Sequence, residues 1–150
     1  MIQIWYHLSM RLITRNTDYA VRAISYMAGQ KDRVVSVPEL VRELKVPRPF
    51  LRKILQVLNK EGLLKSYKGS GGGFSLGRPG DKIFLFDLIK TLQGPVRFNE
   101  CIFKKAFCPD VKSCALKKKI EAIERYVILQ LQSITIASLC ANGCKKGTVC

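Results

Sequence analysis

The chain has 150 residues, 47% of them hydrophobic and 25% charged, which is enough for one domain with a buried core and too apolar for wholesale disorder. Its 26 Lys and Arg against 11 Asp and Glu leave a net charge of +15, which attracts polyanions and makes nucleic acid the leading partner class. No apolar run approaches the roughly eighteen residues of a membrane span, and residues 1–9 lack the basic start and small-residue cleavage site of a secretory signal, so a cytoplasmic, non-membrane protein is expected.

Residues 1–9 show no clear period and read as an N-terminal extension that holds His7, the one histidine of the sequence. A first helix is expected from Thr17, a candidate cap, with Asp18 in its first turn and Ala20, Val21, Ile24, Met27 and Ala28 on one face. Ser36-Val37-Pro38-Glu39 has the form of a capping box and opens a second, short helix with Leu40, Val41 and Leu44 as its apolar stripe. Pro47 stops that helix, and Pro49 opens a third, whose apolar positions are Phe50, Leu51, Ile54, Leu55 and Leu58 and which ends at Gly62. Residues 63–68 and 74–76 read as two strands around Gly69-Ser70-Gly71-Gly72-Gly73, a hairpin with a glycine-rich tip. Residues 85–92 look helical, and Gly94-Pro95 then opens an irregular stretch with Cys101, Cys108 and Cys114. From Leu116 onward Ile120, Ile123, Val127, Leu131 and Ile134 advance by three and four, the seam of a long helix able to pair with a copy of itself. The polar tail holding Cys140, Cys144 and Cys150 is expected to be flexible, and no role is assigned to its cysteines.

The expected fold is therefore mainly α with a small β-hairpin wing. A winged helix-turn-helix spans 10–94, a cysteine-bearing loop 95–115, a dimerisation helix 116–139 and a tail 140–150. A reading helix presents its N-terminal end to base edges, which selects Arg48, Arg52 and Lys53. Arginine can make two bonds to guanine, so Arg52 is the leading base reader, while lysine acts more often on phosphate. On the wing Lys68, Ser70 and Gly71 lead, with Lys65 nearby, because glycines at 69 and 71–73 let backbone amides come close to a phosphate. Read alone, the three basic residues are better taken as a solvated helix face; the order helix, turn, helix, hairpin on a strongly basic chain turns the reading to DNA. A nucleotide-phosphate loop is disfavoured, since no Gly-Lys-Ser/Thr follows the glycines.

Cys101, Cys108 and Cys114 are spaced Cys-x6-Cys-x5-Cys, too wide for a zinc knuckle and suited to a loop around an iron–sulfur cluster. A four-iron cluster is favoured over a two-iron one and would need a fourth ligand. Reduced thiols without metal are the plain alternative.

These residues carry a resemblance. Met10-Arg11-Leu12, Thr17-Asp18-Tyr19-Ala20-Val21-Arg22, Phe50-Leu51-Arg52-Lys53-Ile54-Leu55, Gly62-Leu63-Leu64, Lys68-Gly69-Ser70-Gly71-Gly72-Gly73-Phe74 and the three-cysteine loop make the chain, over about residues 10–139, similar to the Rrf2 family of transcription regulators, in particular its IscR-, NsrR- and RirA-like iron–sulfur sensors. The resemblance implies a homodimeric regulator, a repressor or activator, on a partly palindromic double-stranded operator, with Cys101, Cys108 and Cys114 as cluster ligands. One branch takes a histidine three residues after the last cysteine, where this chain has Lys117. Another takes an aspartate near the N-terminus of the partner subunit, which implies Asp18 as the fourth iron ligand here. Asp18 also has a simpler reading as a helix-start residue. The expected function is a DNA-binding regulator, a repressor, that senses iron, nitric oxide or redox state. The rivals are a cluster-free regulator controlled by thiol oxidation or a partner, and an iron–sulfur electron carrier or enzyme. The last is disfavoured because no Ser/His/Asp arrangement, carboxylate pair or nucleotide motif is visible.

Overall fold

The structure, a computed structural model, describes residues 11–30, 33–98 and 114–141. The extension 1–9, Cys101, Cys108 and the tail cysteines Cys144 and Cys150 lie outside the described residues. The elements run α1 (Arg15–Ala28), α2 (Val37–Leu44), α3 (Arg48–Lys60), β1 (Leu64–Tyr67), β2 (Gly73–Leu76), a short 3-10 turn (Gly80–Lys82), α4 (Leu85–Gln93), α5 (Ala115–Ser133) and α6 (Ile136–Ala141). This is the mainly helical, winged architecture expected from the sequence. Among the described residues no helix is long and apolar enough to cross a membrane.

One core joins the first three helices, α4 and α6 through Ile24, Met27, Leu40, Leu51, Leu55, Leu58, Leu88 and Ile136, all fully buried. In α3 the buried residues are Leu51, Ile54, Leu55 and Leu58. Phe50, expected on the same stripe, is 59% exposed. One residue before Leu51, it sits about 100° round the helix, past the edge of the buried arc.

The cap of α1 also differs from expectation. Thr14, not Thr17, is the N-cap, and its hydroxyl accepts the Thr17 amide at 3.5 Å. Thr17 is fully buried one turn in, while Asp18 stays in the first turn as expected. At α2 the capping-box signal holds in one direction: Ser36 Oγ accepts the Glu39 amide at 3.3 Å. The Glu39 carboxylate turns instead to Arg33, whose Nη1 donates to Oε2 at 3.2 Å, and to the Tyr26 hydroxyl, which donates to Oε1 at 3.0 Å. That triangle ties α1, the segment before α2 and α2 itself together.

Strands β1 and β2 pair antiparallel, with Leu64 opposite Leu76 and Tyr67 opposite Gly73. The hairpin is fixed to the helices by one further bridge. Val35, just before the α2 cap, exchanges both backbone hydrogen bonds with Phe74 at 2.8 Å. A Cβ on Gly73 would stand 2.2 Å from the Val35 carbonyl oxygen, and one on Gly72 would stand 2.5 Å from that of Tyr67. These glycines therefore serve close backbone approach. The Gly72 amide is used within the hairpin, on the Gly69 carbonyl at 3.0 Å.

The dimerisation helix expected over 116–139 is broken at its C-terminal end. α5 stops at Ser133, and Ile134 is extended. The backbone there pairs sideways: Leu85 donates to the Ile134 carbonyl and Ile136 to that of Ile83, both at 2.9 Å. Thr135 then caps α6, its hydroxyl accepting the Ser138 amide at 3.1 Å while Ser138 Oγ accepts the Thr135 amide at 3.2 Å. The seam divides as well. Val127, Leu131 and Ile134 pack on Leu85 and Ile89 of α4, whereas Leu116 and Ile123 remain exposed with Tyr126 and Leu129.

Two outcomes follow for stability. Gly73→Ala forces the Val35 bridge apart and should lower unfolding free energy by about 1–3 kcal/mol in urea titrations; an unchanged midpoint would mean the wing is not held by that bridge. The hydrogen bond from Arg33 holds the Glu39 carboxyl below its ordinary range, a depression that Tyr26 and the charge of Arg33 reinforce against desolvation. A depressed carboxylate contributes stability above its unfolded pKa of about 4.3 and loses it as pH falls through the lower folded value. Glu39→Gln should therefore be less stable than wild type at neutral pH, with the gap closing in acid.

Candidate functional site

The turn between α2 and α3 is short because Lys45 takes the left-handed conformation (φ 53°) as the α2 cap, its amide donating to the Val41 carbonyl at 3.0 Å. Val46 is buried, and α3 restarts at Arg48-Pro49 with its N-terminal end outward. Arg48 and Arg52, four residues apart, share one face of α3, and Gln56 continues the row one turn on. All three are exposed and line a groove of about 450 Å³. The wing forms its other wall with Ser66, Tyr67 and Lys68, and the start of α2 closes the end with Val37 and Pro38. Among the described residues no carboxylate lines it.

Of the sequence-selected residues, the fold brings Arg48, Arg52 and Lys68 together in this groove. Lys53 is exposed but lies outside the lining, as do Lys65, Ser70 and Gly71. Gly71, like Gly69, has positive φ (77° and 93°), which shapes the hairpin tip. Sequence reasoning missed Gln56 and Tyr67. The i+4 repeat from Arg48 and Arg52 could have found Gln56; Tyr67, 48% exposed, faces the groove because β1 buries only Leu64.

The cysteine region is described at its end. Cys114 is the N-cap of α5, and its sulfur accepts the Lys117 amide at 3.5 Å. An iron-bound thiolate there would keep that amide as a hydrogen-bond donor. Asp18 is partly exposed, with Oδ2 3.0 Å from Arg22 Nε in an i,i+4 ion pair. Among the described residues no three His, Cys, Asp or Glu side chains converge as a metal site. Cys140 Sγ lies 3.8 Å from the Ser25 carbonyl, against α1.

A row of basic and amide side chains on an outward helix end, faced by a basic wing across a groove, defines a winged-helix DNA-binding protein. The comparisons agree. The profile of the Rrf2 family, described as iron-dependent transcriptional regulator, matches residues 13–142. Protein aau3 of Rhizobium meliloti (strain 1021) is 37% identical over 131 residues, covering 87% of this chain and 84% of that one. A protein of Aquifex aeolicus (strain VF5) assigned to the HTH-type transcriptional regulators is 33% identical, covering 81% and 85%. Among solved structures, CymR, the global cysteine regulator of B. subtilis, superposes with a TM-score of 0.75 at 23% identity over 89% of this chain and 99% of that one. T. potens IscR superposes with a TM-score of 0.68 at 25% identity, covering 89% and 88%. The chain belongs to the Rrf2 family of transcriptional regulators. Members of that family are DNA-binding regulators, typically dimeric, and not enzymes.

Proposed function

We propose that the chain is a homodimeric repressor whose operator affinity is set by an iron–sulfur cluster, four-iron in preference to two-iron, on Cys101, Cys108 and Cys114, with Asp18 of the partner subunit as fourth ligand. The observation that carries the DNA half is the groove holding Arg48, Arg52 and Lys68 together. Arg52 reads a base, Arg48 and Lys53 steer toward bases or phosphate, and Lys68, Ser70 and Gly71 hold the wing on the backbone. Dimerisation uses the outward face of α5 with Leu116, Ile123, Tyr126 and Leu129. For the cluster half, the support is Cys114 at a helix start with an amide on its sulfur, together with the iron dependence named for the family. The cluster would supply a group lost or altered by iron shortage, nitric oxide or oxidant; regulation requires that its presence favour one arrangement of the reading heads.

A second reading has a specific observation behind it. Asp18 already has Arg22 as a charge partner, and CymR shares the fold. In that case the cysteines act as redox thiols and DNA binding is indifferent to iron.

Iron and acid-labile sulfide, measured on protein purified without oxygen, separate the two: about four of each per chain is the four-iron outcome, and none after anaerobic reconstitution leaves the thiol regulator. On DNA, Arg52→Ala should weaken operator binding by about 1–3 kcal/mol and relax discrimination at one base pair. Lys68→Ala should weaken all sequences alike and lower the salt slope by about one.

A further inference from the structure

Gln93 is the last residue of α4, immediately before the cysteine loop, yet its side chain is committed to the opposite end of the sequence. Its Oε1 accepts the Thr14 amide at 2.8 Å and the Thr17 hydroxyl at 2.6 Å, and its Nε2 donates to the Leu12 carbonyl at 3.2 Å. Thr14 is the N-cap of α1, and Thr17 is fully buried. One side chain thus supplies the tertiary part of the α1 cap and holds the segment leading into it, in the same turn that carries Asp18.

On its other side Gln93 borders open space. Gly94 takes positive φ (86°), and with Gln93, residues 94–98 border a cavity of about 250 Å³ against Ile89 and Val127. The next tie beyond it is the Phe98 amide on the Glu124 carboxylate at 3.1 Å. At the start of the loop only Val96 is packed, against Leu85 and Ile89, whereas α1 packs on α6, α4 and α3 and more lightly on α2, so its first turn cannot shift without moving them.

We infer that Gln93 is the positioning residue through which the state of the cysteine loop reaches the DNA-reading head, by keeping the N-terminal turn of α1 in register with the end of α4. This rests on the reading that the loop carries the signal. The test uses the full chain and two variants. In metal-free protein, hydrogen exchange at the Thr14 amide and the α1 start should quicken about tenfold in Gln93→Leu. It should quicken less in Gln93→Glu, which keeps the acceptor for Thr14 and Thr17 and gives up only the donor to the Leu12 carbonyl; exchange in α3 should not change. Affinity for an operator selected from random DNA is then compared between anaerobically reconstituted and metal-free protein.

Wild type and Gln93→Glu should show a ratio of about tenfold, and Gln93→Leu one within about twofold of unity. A Gln93→Leu ratio equal to wild type, or unchanged exchange at Thr14, overturns the proposal. A loss of affinity by the same factor in both states does so too, since that is the mark of a merely structural role. If wild type shows no ratio, the loop is not the sensor and the coupling falls with that reading, while the exchange result still decides whether Gln93 holds α1.

Discussion

The two-way backbone bridge between Val35 and Phe74 is the constraint on which the rest depends. A two-stranded hairpin alone is marginal in water, and the β1–β2 pair meets the helices through Leu64 in the core and through this bridge. Pairing β2 with the residue just before α2 ties the hairpin to the first helix of the helix-turn-helix, and α2 packs on the reading helix α3. The bridge requires a residue without a side chain at 73, since the Val35 carbonyl occupies the Cβ position. It also sets the width of the groove, because Phe74 and Gly73 lie on the same lining as Arg48 and Arg52.

Electrostatics follows that frame. The surplus of positive charge is a property of the whole chain, but its use depends on where carboxylates are kept away. Glu39 starts α2 next to the groove, and its charge is drawn off toward Arg33 and Tyr26 on the far side. Asp18 is likewise matched by Arg22 within α1. Among the described residues Arg48, Arg52 and Lys68 face no such partner in the groove.

What the sequence made legible were features with local causes. Periodicity marked the helices, Ser36 and Pro38 marked a start, and Gly62 marked an end. The glycine run marked a hairpin, and Arg48, Arg52 and Lys68 were selected as binding residues before the groove that joins them was seen. What it hid had distant causes. Thr14 rather than Thr17 caps α1, and the cap is completed by a glutamine 79 residues away. α5 ends where Ile83 and Leu85 claim its backbone, although Thr135-Ile136-Ala137-Ser138 carries a readable cap signal. Phe50 was misplaced because apolar character alone does not tell the edge of a buried arc from its middle. Gln56 and Tyr67 are ordinary polar or aromatic residues until the fold sets them across from each other.

The split seam of α5 has a consequence for abundance. Val127 and Leu131 are satisfied inside the protomer, and Leu116, Ile123, Tyr126 and Leu129 are left facing water. A surface of that kind is covered by mass action, so the free energy that holds α5 in place varies with the amount of whatever covers it. For a second copy of the chain, dilution and regulation are then one variable: halving the protein lowers the number of reading heads and also loosens the element that spaces them.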